Sequence, residues 1–336
     1  MGFDPSAPNR TTRDSDTHMN SLLIGILSGL AAAALFAAPY AGGGFMTLPL
    51  PFISALPIVI ASLGWGTTIG LVSVAVATLV AAVHEGPIAA GLYLVIVGLP
   101  AAGYSYLYGL ARPGQSAHAN GGEASGMEWF PYGKILVVIA ALSAITAIIA
   151  FSVSNFSVDT FVNESVDALR DRLDELNAQD SEAFVETLRF YVSFFPFFAG
   201  LGLTASMALT LWLGGLVVRY SGRFSRPSDN LPETLRLPPA LVFVAAGSAF
   251  LSVEDGSLGF AMRSIAGAAT MVLAISGYAL AHLVARRGRG GRFALYFLYV
   301  LTVTFFLLPV SIMTLFGALD TLVGLRRRIL GARPSG

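Results

Sequence analysis

The chain has 336 residues, 55% hydrophobic and only 12% charged, with 20 basic against 20 acidic side chains and a mean hydropathy of +0.71. A soluble domain carries about a quarter charged residues, so this composition excludes an ordinary soluble protein and points to an integral membrane one. Zero net charge names no nucleic-acid partner, and the absence of cysteine excludes disulfides, thiol nucleophiles and thiolate metal sites.

Residues 1–19 are polar and mixed in charge, with Asp4, Arg10, Arg13, Asp14 and Asp16, and are expected to form a disordered cytoplasmic tail. They lack a basic leader, so the apolar stretch from Leu22 to Ala38 reads as a retained first helix and not as a cleaved signal. Small residues recur on it every four positions, at Gly25, Gly29, Ala33, Ala37 and Ala41. Such a face allows close helix approach. It either packs inside the bundle or docks a separate membrane subunit.

A spanning helix needs about 20 apolar residues. Runs of usable length cover 21–39, 45–63, 67–83, 87–110, 134–153, 190–218, 238–253, 258–285 and 293–325. The expected fold is an all-α polytopic transmembrane helix bundle of nine or ten membrane segments over residues 20–328, followed by a tail at 329–336. Glycine-rich breaks separate the early runs: AGGG at 41–44, LGWG at 63–66 and HEGP at 84–87. Residues 112–131 read as a flexible cytoplasmic loop. Prolines interrupt the second run (Pro49, Pro51, Pro57), the fourth (GLP at 98–100) and the sixth (Pro196). They are packing kinks or the broken helices that transporters place at binding sites.

The segment 154–189 holds nine acidic residues against Arg170, Arg172 and Arg189. Val162, Val166, Leu169, Leu173 and Leu176 form one helical stripe on it. A second helix, starting at Asp180 or Ser181, is expected to enter the membrane near Phe190. This acidic amphipathic outer segment either covers its own bundle or receives an envelope protein.

Cytoplasmic loops collect Lys and Arg. Arg112 and Lys134, then Arg219, Arg223, Arg226 and Arg236, then RRGRGGR at 286–292 alternate with acidic loops. One orientation fits them all: a multi-pass protein of a bacterial inner membrane with a cytoplasmic N-terminus. Anchoring by the same rule accounts for RRGRGGR without a nucleic-acid partner. The last run has 33 residues with Pro309 midway. Crossing twice keeps Arg326, Arg327 and Arg328 on the cytoplasmic side, with Asp320 near them. Asp320 is then an acid paired with those arginines or capping the structure, or else a transport-coupling acid.

On the outer side Tyr40, His84, Glu85 and Arg263 are the candidate substrate-binding residues, with Arg263 as the anion-binding group; the alternative is that Arg263 snorkels and the others are loop positions. The four histidines show no metal pattern, no phosphate-binding loop marks an ATPase, and no catalytic constellation stands out. The expectation is a protein that is not an enzyme and has no cofactor.

The motifs PLPF and LGWGTTIGL, YLVIVGLPA, LPPALVF, GYALAH and FGALDTLVGLRRR resemble the YybS-like uncharacterised bacterial membrane proteins (domain of unknown function 2232) over about residues 20–328. GLP, YALAH and the closing D-x-x-x-x-x-R-R-R carry most of the resemblance. That family has no settled activity and is itself distantly similar to the substrate-binding subunits of energy-coupling-factor vitamin transporters. The likeness implies small-molecule binding or transport, energised by a separate coupling subunit with ATPases docked on the first-helix ladder. It also implies substrate entry from the outer side. Such subunits have six helices, which this chain exceeds. The alternative is a membrane scaffold or assembly factor that does not transport.

Overall fold

The computed structural model describes residues 10–39, 50–113, 127–169, 178–254, 256–288 and 290–331. It is nearly all helix and divides into two units. Unit one comprises Met1–Phe130 with Ser206–Pro227; unit two comprises Pro131–Ala205 with Ser228–Gly336.

Unit one holds α1 (Arg10–Ala37), α2 (Leu50–Ile53), α3 (Leu56–Trp65), α4 (Thr67–Glu85), α5 (Pro87–Tyr93) and α6 (Leu99–Gly109). Its short hairpin pairs β1 (Ala111–Pro113) with β2 (Met127–Trp129), Ala111 facing Trp129. Gly66 and Gly86 separate α3 from α4 and α4 from α5 at φ +97° and +92°. A side chain with a Cβ is strained in that region, so the two glycine breaks read from the sequence are true turns. Proline then stands in the first turn of α3, α5 and α6, where its missing N–H costs nothing. Between α2 and α3 the Pro51 carbonyl accepts both the Ser54 main-chain N–H at 3.2 Å and the Ser54 hydroxyl at 2.7 Å, and Ser206 donates to the Phe52 carbonyl. A π-helical turn at Leu94–Gly98 joins α5 to α6 just before Pro100.

The small-residue ladder of α1 is used within the chain. A Cβ on Gly29 would stand 2.6 Å from the Ser73 carbonyl and 2.7 Å from Val76, and one on Gly25 3.0 Å from Val72. Ala33 is buried on the same face, Ala37 is half-buried, and Ala41 lies outside the described residues. Of the two readings of the ladder, the geometry is that of packing inside the bundle, because helix α4 occupies this surface. Arginines close this unit at the 219–226 loop. Arg226, buried, donates to the Tyr108 and Phe130 carbonyls at 3.0 and 3.1 Å and lies over the Tyr108 ring. Arg219 donates to the Tyr108 hydroxyl, and Arg223 lies over Trp65.

Unit two holds α7 (Tyr132–Val153), α8 (Val158–Ala168), α9 (Ala178–Ser193) and the first part of α10 (Phe195–Tyr220). It continues with α11 (Leu231–Thr234), α12 (Ala240–Leu251), α13 (Gly256–Ala285), α14 (Gly291–Thr304), α15 (Leu307–Val323) and α16 (Leu325–Gly331). Helix α13 is the axis, packed against α15, α12 and α7. Its core joins Met271 and Ala274 to Leu201, Val310 and Met313.

Helices α13 and α15 cross in close backbone contact. Gly277 sits against the Met313 carbonyl and Gly317 against the Leu273 carbonyl, each glycine four residues beyond the carbonyl its own helix presents. Any side chain at either position would collide with main chain. Thr314 also donates to the Thr270 carbonyl at 3.3 Å, and Arg287, just past α13, reaches Ile329, just past α15, so α15 runs parallel to α13. Helix α14 runs antiparallel to α13, with Tyr278 bonded to Thr302 and His282 to Tyr299. The last apolar run therefore doubles back. It breaks at Phe305–Phe306, ahead of Pro309, because proline is tolerated in the first turn of the helix that follows. Arg287 donates to the Ile329 carbonyl, which returns the C-terminal arginines to the end of unit two that carries the 286–291 turn.

Among the described residues six helices are long and apolar enough to cross a membrane: Met19–Ala37, Thr67–Glu85, Pro87–Gly109, Tyr132–Val153, Phe195–Tyr220 and Gly256–Ala285. Leu50–Trp65, Ala240–Leu251 and Gly291–Thr304 are apolar but shorter, and Leu307–Val323 with Leu325–Gly331 forms a pair bent by 73°. The nine or ten segments expected from apolar runs thus reduce to six full-length candidates. Proline and glycine cut the other runs below the length of a straight span.

The described parts of the acidic segment expected on the outer side form α8 and α9, which pack on each other and are linked by the Arg189–Asp159 ion pair. Ser157 caps α8, and Val162 of the expected stripe is buried; Leu173 and Leu176 lie outside the described residues. Rings of Phe156, Phe161, Phe195, Phe151 and Phe260 stack at 5.0–6.3 Å and fasten α8 to its own unit. The second helix starts at Ala178, close to the expected Asp180.

Candidate functional site

The site grows from the turn between α15 and α16. Gly324 takes φ +70°, and its N–H bonds the Asp320 carbonyl at 2.9 Å, which ends α15 and bends the chain by 73°. The bend places Arg326 beside Asp320. One carboxylate oxygen, Oδ1, accepts the Arg326 main-chain N–H at 2.7 Å, and the other, Oδ2, lies 3.2 Å from the Arg326 Nη2. The guanidinium also donates to the carbonyls of Leu231 (3.2 Å) and Leu235 at the end of α11, and to Ser276 of α13 (3.2 Å).

Asp320 is 8% exposed and Arg326 4%. Removing one member of such a buried pair leaves an uncompensated charge and costs about 3–5 kcal/mol. The pair ties α13, α11, α15 and α16 at one point. Of the two sequence readings of Asp320, the geometry is that of the paired, capping acid. Arg327 and Arg328 are exposed.

Helix α16 separates two cavities. On its Arg326 and Arg327 side lies a space of about 150 Å³, lined by Leu235, Arg236, Leu237, Pro239, Asp320, Thr321 and Gly324. Its Leu325 and Ile329 side faces a larger apolar chamber of about 520 Å³. Gly277, Leu280, Ala281 and Val284 of α13, Ala294 and Leu298 of α14, and Met313 and Phe316 of α15 complete its wall. A third, apolar space of about 390 Å³ lies among α7, α12 and α13, near Ala144, Val244 and Ala269.

A polar seam holds α14 against this chamber. Tyr278 and Thr302 hydroxyls meet at 2.7 Å, His282 Nε2 and the Tyr299 hydroxyl at 2.8 Å, and the two tyrosine rings stack at 5.9 Å. His282 thus serves a helix contact, and no group of metal-ligating side chains occurs among the described residues.

Of the four residues expected at an outer pocket, three are described, two in unit one and one in unit two. Tyr40 lies outside the described residues. His84, exposed, and Glu85, half-buried, end α4 in unit one. Arg263 belongs to unit two, half-buried, with Nε donating to the Ser252 carbonyl at 2.9 Å and Nη1 to the Ser193 carbonyl at 3.4 Å. The last carbonyls of a helix have no partner within it, and here one guanidinium serves the ends of α12 and α9.

Sequence reading named Asp320 and Arg326 and passed over the glycine crossing, the tyrosine seam and the Leu231 and Leu235 carbonyls. The available signal was the pair of strings GYALAH and FGALD. Each contains a crossing glycine, Gly277 or Gly317, and together they supply Tyr278, Leu280, Ala281, His282 and Asp320.

Residues 25–321 match the model of a family described as a predicted membrane protein, DUF2232, which covers most of the chain. No curated protein and no solved structure matches it. The resemblance carried by the motifs therefore stands for the family, while the further likeness to energy-coupling-factor subunits has no support among these matches.

Proposed function

We propose, for a chain that belongs to the DUF2232 family of predicted membrane proteins, that it binds a small molecule with an apolar body in the chamber between α13, α14, α15 and α16, and moves it within or across a bacterial inner membrane. The observation that carries this reading is the chamber itself. Ligand pockets measure about 300–1,000 Å³ with mostly apolar walls. A space of about 520 Å³ walled by Ala, Leu and Gly falls in that class.

The positive-inside rule assigns the 286–291 turn, and with it the chamber and both termini, to the cytoplasmic side. The ligand is then met from the cytoplasmic half, not from the outer face that the sequence suggested. The three shorter apolar helices and the bent pair act as partial crossings, which restores nine or ten membrane segments. A separate ATPase complex, if it energises the protein, docks elsewhere than on the buried α1 ladder.

The rival reading is a scaffold or assembly factor. Its support is the outer pair α8–α9, whose acidic faces are largely exposed and suit a partner protein.

Native mass spectrometry of the protein, gently extracted from its own membrane, separates the two. A small-molecule mass retained by the wild type and lost in Ala281→Phe supports the chamber. Other envelope proteins in fixed ratio, with no ligand mass, would make it a scaffold.

A further inference from the structure

We infer that the small cavity beside Asp320 is a binding site for a phosphate group. Three arginines, Arg236, Arg326 and Arg327, line it against a single acidic residue, Asp320. Both oxygens of that carboxylate are engaged by Arg326, so Asp320 gives no counter-ion to the other two. The side chains of Arg236 and Arg327 have no hydrogen-bonded or ion-paired partner among the described residues. Two positive charges are left uncompensated, which is the complement of a phosphate dianion.

The geometry places two of these donors, Arg326 and Arg327, at the cavity wall. The Arg327 guanidinium folds back along the cavity wall, 3.4–3.5 Å from where a Cβ on Gly324 would stand. Arg326 is fixed by four acceptors, yet its buried Nε–H has none. Planar guanidinium groups suit phosphate oxygens better than any other side chain. The lining of Leu235, Leu237 and Pro239 lowers the local dielectric and strengthens each contact. A water needs roughly 10–15 Å³ of such space, so about 150 Å³ admits a phosphate group with waters.

Arg326 reaches Ser276, nine residues before the end of α13, roughly 13 Å along the helix. The phosphate is therefore either soluble phosphate entering the cavity or the headgroup of an anionic lipid drawn in beside α12. The site does not depend on the apolar chamber, which lies across α16.

The test uses the full chain in phosphatidylcholine nanodiscs, with inorganic phosphate as one probe and phosphatidylglycerol, read by native mass spectrometry, as the other. Arg236→Gln with Arg327→Gln removes two exposed side chains and leaves the Asp320–Arg326 pair intact; each single variant gives a second reading if the double variant folds poorly. Saturable phosphate binding that weakens at least ten-fold in the variant identifies soluble phosphate. Silence to phosphate, with phosphatidylglycerol retained by the wild type and lost by the variant, identifies the headgroup. Either result supports the site. Binding of neither probe, or equal binding by wild type and variant, overturns it.

Discussion

Arg263 and Arg326 are both arginines of unit two that donate to main-chain carbonyls at helix ends, yet they do different work. Arg263 is half-buried, serves Ser252 and Ser193, and has no ion-paired carboxylate among the described residues. Arg326 is buried, is paired with Asp320, and stands between two cavities. A charge near a helix end can be satisfied by the carbonyls of neighbouring helices alone. A charge drawn further in needs a counter-ion, and the turn that supplies one leaves space around it. The sequence directed attention to Arg263 because it stood alone in an apolar run; the proposed chemistry rests instead on the surroundings of Arg326.

The largest expected effect lies at the ion pair. Asp320→Ala leaves Arg326 charged and unpaired and should cost about 3–5 kcal/mol, seen as loss of folded protein in detergent. Replacing both residues with Leu should recover much of that loss. If Asp320→Ala folds like wild type, the pair is not the tie described here.

Next comes the helix crossing beside it. Gly277→Val drives a side chain into the Met313 carbonyl, and overpacking of this kind costs about 1–3 kcal/mol. The melting temperature should fall while Gly91→Val, which meets nothing within 4 Å, leaves it nearly unchanged.

At the other arginine, Arg263→Ala strips donors from two helix ends and should cost about 1–3 kcal/mol. Ligand retention per folded molecule should not change. A loss of retention at full stability would return Arg263 to the binding site.

Smaller again is the tyrosine seam. Tyr299→Phe removes the His282 hydrogen bond and should cost about 0.5–1.5 kcal/mol, measured as faster hydrogen exchange along α14.

The smallest effect concerns the exposed hairpin of unit one, where the Arg112 guanidinium, 2.9 Å away, holds the Glu128 carboxyl below its ordinary range. A depressed carboxylate stabilises the fold above the unfolded-state pKa, and that contribution disappears as pH falls through the lower folded value. An NMR titration of Glu128 should show the low midpoint, rising in Arg112→Gln, with no measurable change in melting temperature.

Membrane character and helical class were legible in composition, because a long apolar run has few soluble alternatives. The turns at Gly66 and Gly86 were legible because only glycine suits their backbone. The number of full spans was not, since hydropathy does not say where Pro57 or Phe305 will end a helix. Nor does it show that α11 brings its carbonyls to Arg326 from ninety residues away. The α1 ladder shows the same limit from the other side. Its spacing announced a close helix contact and left the partner open, and the partner is α4.

The central claim, that the ligand lies in the chamber at the Arg326 end of unit two and not at Arg263, is tested most directly by comparing two variants in one experiment. Ala281→Phe and Arg263→Ala are extracted side by side with the wild type, and the co-extracted small molecule is quantified per folded protein. The account predicts loss in Ala281→Phe and full retention in Arg263→Ala. Retention in Ala281→Phe with loss in Arg263→Ala would contradict it.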